Sequence, residues 1–143
     1  MTEPSTPRFE RVRRIRFAHC DPAGIVFFPQ YLVLFSDLVE DWFGSELGIP
    51  YSDILAVRRI GLPTVKLTCE FKAVSRMGDD VLFGLEVARL GNRSVTLNLD
   101  CRVNREVRVQ VQQVIVTTDL RTHRSAPMPD DVRAAILRFQ GQG

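Results

Sequence analysis

Residues 29–42 read PQYLVLFSDLVEDW, and this stretch decides the fold. Its apolar side chains recur every three or four positions, which is the spacing of one face of an α-helix. This face consists of Tyr31, Leu34, Phe35, Leu38 and Trp42, and the apolar arc is widened by Leu32, Val33, Val39 and Phe43. The pattern predicts a long helix that begins at Pro29, is largely buried, and ends at Gly44, Gly48 and Pro50.

Downstream of this helix apolar residues alternate with polar ones, a period that is typical of half-buried strands. We predict strands over residues 64–73, 81–87, 95–103 and 107–116, and a first strand upstream of the helix over residues 9–18. The turn Leu90-Gly91-Asn92-Arg93 makes a hairpin of the second and third of these four strands. In the last strand the apolar parity changes after Gln112-Gln113, which predicts a β-bulge there.

Shorter elements complete the chain. A short helical piece is predicted over residues 51–57, and residues 119–128 are predicted to form a polar connection. A C-terminal helix is expected to start at Pro129-Asp130-Asp131, because a proline and two acidic residues suit a first helical turn. Its inward residues are Val132, Ile136 and Phe139.

The order of these elements, a strand, a long buried helix and about four long strands, predicts an α+β protein of the hotdog architecture. In this architecture a curled antiparallel sheet of about five strands wraps a long central helix. At 143 residues the chain is one domain, which we assign to residues 9–143, and the polar residues 1–8 are predicted to form a flexible N-terminal arm. The open edges and exposed face of such a sheet favour self-association.

Composition argues against several functional classes. A net charge of +2 is small for a nucleic-acid protein, and the arginines at positions 11, 13, 14 and 16 fall on both faces of a strand. The three cysteines form no CxxC pair and there are only two histidines, so we expect no metal site. Glycine-rich nucleotide motifs are missing from the sequence, so no cofactor is expected. Without an apolar signal core or a run of about 18 apolar residues, the chain is predicted to be cytoplasmic and not bound to a membrane.

Asp21 is the strongest candidate for chemistry. It lies in a turn with Pro22 and Gly24, a few residues before the helix, and the residue before Pro29 is Phe28, whose side chain cannot cap the first turn. The uncapped N–H groups and the positive dipole end of such a helix stabilise a developing negative charge, such as the oxygen of a polarised carbonyl. From its own context Asp21 is either a turn-forming residue or a nucleophile or general base beside this anion site.

The whole junction resembles a known family. Residues 19–31, HCDPAGIVFFPQY, are similar to the signature of the 4-hydroxybenzoyl-CoA thioesterase family, in which D-x-x-G-I/V-V and an aromatic residue precede the central helix. The resemblance is close over residues 13–31 and continues in element order to about residue 139. It implies a hotdog fold, hydrolysis of acyl-CoA without a metal, an active site at a dimer interface, and frequent tetramers.

By position, the resemblance implies that Asp21 is the catalytic carboxylate, as nucleophile or as general base, and that the backbone N–H of Phe28 donates to the thioester oxygen. Gly24 belongs to the same motif, and Arg93 and Ser94 match positions that help to hold the nucleotide or pyrophosphate of CoA. The expected substrate is an aroyl- or short-chain acyl-CoA. An apolar pocket for its acyl group is expected around Val26, Phe27 and Tyr31.

Alternatives remain open beside this interpretation. His19 stands where relatives more usually have an acidic residue, and it either tunes Asp21 electrostatically or points to solvent. Cys20 is of the residue type of a thiol nucleophile, but consecutive side chains of an extended segment point in opposite directions. Two other functions also remain open for the whole chain. One is a non-catalytic module that binds acyl-CoA or an acyl carrier, and the other is a dehydratase with His19 as its base.

Overall fold

The computed structural model describes residues 6–142, so residues 1–5 of the predicted N-terminal arm lie outside the described residues. Its helical elements are a 3-10 turn at Phe17–His19, α1 at Phe28–Asp41, π-helical segments at Trp42–Glu46 and Ser52–Val57, and α2 at Asp130–Gln140. Its strands are β1 at Phe9–Arg14, β2 at Ile60–Gly61, β3 at Thr64–Phe71, β4 at Asp80–Leu90, β5 at Ser94–Val103, β6 at Glu106–Val116, β7 at Thr118–Asp119 and β8 at Arg124–Ser125.

One antiparallel sheet of five strands carries the fold, in the order β1-β4-β5-β6-β3. The buried face of α1 packs on this sheet, where the rings of Phe35 and Phe83 meet edge to face with centroids 5.1 Å apart. Trp42 and Phe43 continue the same core, and both are buried. The predicted long helix against a sheet of about five antiparallel strands is therefore confirmed.

The helix differs from its predicted bounds at both ends. It begins at Phe28, which places Pro29 in its first turn, and it continues past Asp41 as a π-helical segment that includes Gly44. The N–H of Leu47 donates to the carbonyl of Trp42 at 3.0 Å, a five-residue spacing that buries Leu47 in the core. Packing of Leu47 therefore outweighs the glycine that was expected to stop the helix.

β3 is not half-buried, as its alternating pattern predicted. Val65, Leu67 and Phe71 are 58, 42 and 51% exposed. The reason is position, since β3 is an edge strand that pairs only with β6 in this sheet. It also ends at Phe71, before the predicted end at Ala73, because the next two N–H groups both donate to the carbonyl of Arg108. An apolar sheet edge is thus left uncovered in the single chain.

The predicted β-bulge at Gln112-Gln113 is wrong. β6 pairs with β5 without interruption there, with Gln112 opposite Asn98 and Gln113 opposite Leu97. The parity is kept by Val109, Val111 and Ile115, which are all buried. The register shifts lie instead at Val65 on β3, at Ala88 on β4 and at Arg108 on β6, each of which has no partner residue in the shifted pair of strands.

The remaining elements confirm most of the short-range predictions. β4 and β5 form the predicted hairpin, and α2 buries Val132, Ile136 and Phe139. The first strand stops at Arg14 rather than at Ala18, because the chain turns into the 3-10 segment. The expected polar connection contains β8 and the last residue of β7, and these two strands form a second small sheet with β2. No helix within residues 6–142 is long and apolar enough to span a membrane.

A charged cluster on the sheet joins the residues before β1 to β5. The guanidinium of Arg8 lies over Gly84, where an added Cβ would collide with its Nη2. Nη1 of Arg8 donates to Oδ2 of Asp100 at 3.0 Å, and Nη2 of Arg102 donates to the same oxygen at 2.7 Å. Burial alone would raise the pKa of Asp100, but the hydrogen bonds and charges of the two arginines outweigh it and hold that pKa below its usual value.

Replacing Asp100 by Asn is expected to lower the free energy of unfolding by about 2 kcal/mol at neutral pH, because Arg8 and Arg102 lose the charge of the carboxylate that they share at a half-buried position. A lowered pKa means that the stability from Asp100 is present above its unfolded value and is lost as the pH falls through its folded value. The difference between wild type and Asp100→Asn in urea unfolding should therefore shrink in acid.

The exposed pair of Arg14 and Asp80 supplies the control, with Nε to Oδ1 at 2.9 Å. Asp80→Asn should leave the urea midpoint within error, since exposed ion pairs contribute little. An equal loss of free energy of unfolding in both variants would contradict the expected contribution of Asp100 to stability.

Candidate active site

Backbone hydrogen bonds close the segment 20–26 into a loop directly before α1. Cys20 and Val26 face each other in an antiparallel bridge, and the N–H of Asp21 donates to the carbonyl of Ile25 at 3.0 Å. The N–H of Phe27 donates to the carbonyl of His19 at 2.9 Å. Asp21 is therefore held beside the start of the helix, as its spacing suggested.

The same loop is anchored on its other side to residues 75–77. The N–H of Val26 donates to the carbonyl of Ser75 at 3.0 Å, and the N–H of Met77 donates to the carbonyl of Gly24 at 2.9 Å. Gly24 has φ +78, a left-handed conformation that L side chains rarely adopt. The glycine of the motif is thus required by the shape of the loop.

The carboxylate of Asp21 is half-buried and only partly used by the loop. Its Oδ1 accepts the N–H of Ala23 at 2.8 Å, which is the turn-forming role expected of an Asp before Pro. Among the described residues its Oδ2 accepts no hydrogen bond, and no Lys or Arg lies within ion-pair distance. One oxygen therefore orients the group while the other is open to a ligand.

The start of α1 lacks a side-chain cap within the described part of the chain. Phe27 is the N-cap residue and Phe28 the first helical residue, so the N–H of Phe28 points out of the helix end without an intrahelical acceptor. The positive end of the helix dipole adds to its attraction for an anionic oxygen.

A cleft of about 290 Å³ opens between the start of α1 and the end of β3. Its aromatic part consists of Phe28, Tyr31 and Phe71, with ring centroids 6.0 Å apart from Phe71 to each of the other two. The whole lining is Val26, Phe28, Tyr31, Phe71, Lys72, Ala73 and Val74. The cleft is adjacent to the loop, since Val26 belongs to both.

The sequence anticipates only the helix side of this cleft. Val26 and Tyr31 line it as predicted, whereas Phe27 is half-exposed and lies beside it, edge to face with Phe28 at 5.5 Å. Phe71 and residues 72–74 were missed. Phe71 alternates like a core residue, and its contact with α1 depends on a strand order that periodicity does not reveal.

Arg108 holds the sheet-side wall of the cleft. Its carbonyl accepts the N–H groups of Lys72 and Ala73 at 2.8 and 3.1 Å, and its Nη1 donates to the carbonyl of Val74 at 2.6 Å. Burial raises the pKa of the Tyr31 hydroxyl. A hydrogen bond to the neighbouring buried Ser75 offsets part of that rise. The hydrogen bonds of Arg108 fix residues 72–74, so the sheet side of the cleft is formed by the fold itself.

Arg93 and Ser94 do not join Asp21 within one chain. β4 begins beside the loop and runs 11 residues to the turn that contains Arg93, a length of about 33 Å. There the Nη1 of Arg93 donates to Oγ of Ser125 at 3.1 Å. The predicted site residues thus form two groups at opposite ends of the sheet.

His19 and Cys20 do not form a nucleophile and base. Nδ1 of His19 accepts the N–H of Arg16 at 2.9 Å, and Sγ of Cys20 lies 3.4 Å from the carbonyl of Arg16. Burial raises the pKa of the Cys20 thiol, and the charge of Asp21 raises it further. The imidazole therefore neither faces the thiol nor simply points to solvent.

Other features of the described residues are less suited to a reaction. A polar cleft of about 340 Å³ lies on the sheet, with Asn98, Asp100, Gln110 and Gln112 in its lining, but it is distant from the loop. Within residues 6–142 no three His, Cys, Asp or Glu side chains are grouped as metal ligands. The junction of the loop with α1 is therefore the candidate active site.

Comparison with known proteins relates this chain to thioesterases. The family model described as thioesterase-like superfamily matches residues 15–136. A 1,4-dihydroxy-2-naphthoyl-CoA hydrolase of Synechocystis is 25% identical over 130 residues, which cover 90% of this chain and 94% of that protein. The crystal structure of a 1,4-dihydroxy-2-naphthoyl-CoA thioesterase from Synechocystis superposes with a TM-score of 0.83 at 25% identity, over 91% of this chain and 96% of that one.

A second solved structure, of a gentisyl-coenzyme A thioesterase, has a TM-score of 0.80 and 30% identity over 90% of this chain and 99% of that chain. With these neighbours the predicted hotdog fold is confirmed.

The geometry of the loop predicts the effect of a methyl group at Gly24. Gly24→Ala should lower the free energy of unfolding by about 1–2 kcal/mol and shift the amide resonances of the loop, because a Cβ disfavours the left-handed conformation. The control is Gly44→Ala, where the added Cβ also meets nothing within 4 Å but φ is not positive. Equal melting temperatures of the two variants would contradict the requirement for φ +78 at Gly24.

Proposed function

The chain belongs to the thioesterase-like superfamily, and we propose that it hydrolyses an aroyl- or short-chain acyl-CoA to the free acid and CoA. The observation that carries the proposal is the half-buried carboxylate of Asp21, whose Oδ2 is open beside an uncapped helix start and an apolar cleft. A module that only bound acyl-CoA would gain nothing from a carboxylate with an open oxygen beside the electrophile, because covering that charge with substrate costs free energy.

In the proposed reaction the backbone N–H of Phe28 donates to the carbonyl oxygen of the thioester and stabilises the negative charge that develops on it. Asp21 then acts in one of two ways. As nucleophile it attacks the carbonyl carbon, CoA leaves as thiolate, and water hydrolyses the resulting anhydride. As general base it takes a proton from the water that attacks the same carbon. Either route consumes one water and needs no metal or cofactor.

The cleft favours an aromatic acyl group over an aliphatic one. Phe28, Tyr31 and Phe71 present ring faces and edges, which suit offset or edge-to-face contact with another ring. Its volume of about 290 Å³ is appropriate for a small ring system. Two of the related proteins are named for the aroyl groups 1,4-dihydroxy-2-naphthoyl and gentisyl. We therefore place the acyl group against Val26 and Tyr31, with Gly24 shaping the loop and Phe27 at the rim.

The functional unit that we propose is a dimer joined along β3. The open edge of β3 has unpaired backbone groups and the exposed side chains of Val65, Leu67 and Phe71. Antiparallel pairing of two copies across a twofold axis would satisfy both edges at once and bury these side chains. The other exposed surfaces of this dimer are available for association into a tetramer.

Such a dimer would also unite the two groups of site residues. The first residue of β3 lies at the end of the sheet that holds Ser94, since Val116 pairs with Ser94 and its N–H donates to the carbonyl of Pro63. The last residue, Phe71, lies at the cleft. Antiparallel pairing therefore brings Arg93 of the partner subunit toward the Asp21 loop, where it would meet the nucleotide or pyrophosphate of CoA together with Ser94 of the partner subunit.

Asp21→Asn is expected to lower kcat on the best aroyl-CoA at least 100-fold with little change in KM, because the amide can neither attack nor accept a proton. Thiol release measured across aromatic, short and long acyl-CoA esters checks both the activity and the acyl preference. The control is Asp37→Asn on the exposed face of α1, which should retain wild-type kinetics. Full activity of Asp21→Asn would overturn the proposed role of Asp21.

Leu67→Lys is expected to convert the dimer into a monomer and to abolish turnover, because it buries a charge at the β3 edge and separates the two halves of the site. Val12→Lys is the matched control, since Val12 is 59% exposed on β1 at the opposite edge of the same sheet. Light scattering during size-exclusion chromatography measures the mass, and circular dichroism verifies folding. A dimeric, fully active Leu67→Lys protein would show that β3 is not the interface.

A further inference from the structure

The 3-10 turn at Phe17–His19 precedes the loop of residues 20–26. It is closed by the side chain of its last residue, His19. The N–H of Arg16 donates to Nδ1 of His19 at 2.9 Å, and the N–H of His19 donates to the carbonyl of Arg16 at 2.9 Å. An Nδ1 that accepts a hydrogen bond belongs to a neutral imidazole with its proton on Nε2. The turn is therefore built around the neutral form of His19.

The main chain of His19 also bonds to the start of α1. Its carbonyl accepts the N–H of Phe27, the N-cap residue of α1, at 2.9 Å. The next residue, Cys20, forms the bridge with Val26 that closes the loop of residues 20–26. His19 thus connects the 3-10 turn, this bridge and the start of α1.

We propose that His19 is a positioning residue for thioester hydrolysis, and that acceptance of the Arg16 N–H by its neutral Nδ1 sets the placement of Asp21 relative to the Phe28 N–H. The kinetic part of this inference rests on the proposed role of Asp21. A carboxylate at position 19 would accept the same hydrogen bond, but it would place a second negative charge two residues from Asp21. The neutral imidazole supplies the acceptor without that charge.

Two near-isosteric variants separate positioning from general structure. In His19→Asn the amide oxygen occupies the place of Nδ1, whereas in His19→Gln it occupies the place of Nε2 and leaves the Arg16 N–H without a partner. We expect His19→Gln to lower kcat about 10- to 100-fold with KM within about threefold, because small displacements of a catalytic group have large kinetic effects. His19→Asn should keep kcat within about threefold of wild type.

Hydrogen exchange of the amides of residues 20–27, measured on the unliganded full chain, is the readout that needs no activity. Exchange should be faster in His19→Gln and unchanged in His19→Asn. If His19→Gln does not fold, His19→Ala replaces it, since Ala also lacks the acceptor. Wild-type kcat and exchange in the variant that lacks the acceptor, or equal losses in His19→Asn, would overturn the proposal. If the wild-type enzyme released no thiol from any CoA ester, the proposed function would fail, while the exchange contrast would still decide whether His19 braces the loop.

Discussion

Burial of the apolar face of α1 against the sheet is the constraint on which the remaining structure depends. Each fully buried large side chain contributes about 1.5–3 kcal/mol relative to exposure, and this face includes Phe35, Leu38 and Trp42. The change to π-helical geometry after Asp41 follows from the same constraint, because it places Leu47 in the core. A helix fixed along its length has a fixed first residue, so the position of the Phe28 N–H is determined by packing that is remote from it.

The two ends of α1 show how stability and function are divided. At its C-terminal end the chain continues into further hydrogen-bonded turns, whereas at its N-terminal end no side chain of the described residues caps the first turn. The loop is held by backbone hydrogen bonds to His19 and Ser75 instead, which leave the helix end open.

Periodicity predicted what depends on local contacts and failed where strand order decides. The buried face of α1, the hairpin of β4 and β5, and the inward face of α2 were all predictable, since each follows from spacing along one element. The alternation of β3 predicted burial, but β3 is an edge strand, and Leu67 stays 42% exposed although it lines a cleft together with Leu32 and Phe35 of α1. The same limit applies to the candidate site: Asp21 and the helix start are neighbours in sequence, while Phe71 and Arg108 reach the cleft only through the pairing of β3 with β6.

The position of the cleft separates the requirements of the fold from those of substrate choice. The loop that holds Asp21 depends on main-chain hydrogen bonds. Most of the core, such as Trp42 and Phe83, lies away from the cleft, while Val26 and Tyr31 belong to both. The cleft itself lies at the seam between the exposed start of α1 and the end of an edge strand, where Phe28 and Phe71 are about half exposed. Substitutions of Phe28 or Phe71 cost little core packing, because few buried contacts are lost. Phe71 also lies on the edge along which we propose that two copies join, so in that dimer acyl preference and assembly would be coupled through this one side chain of β3.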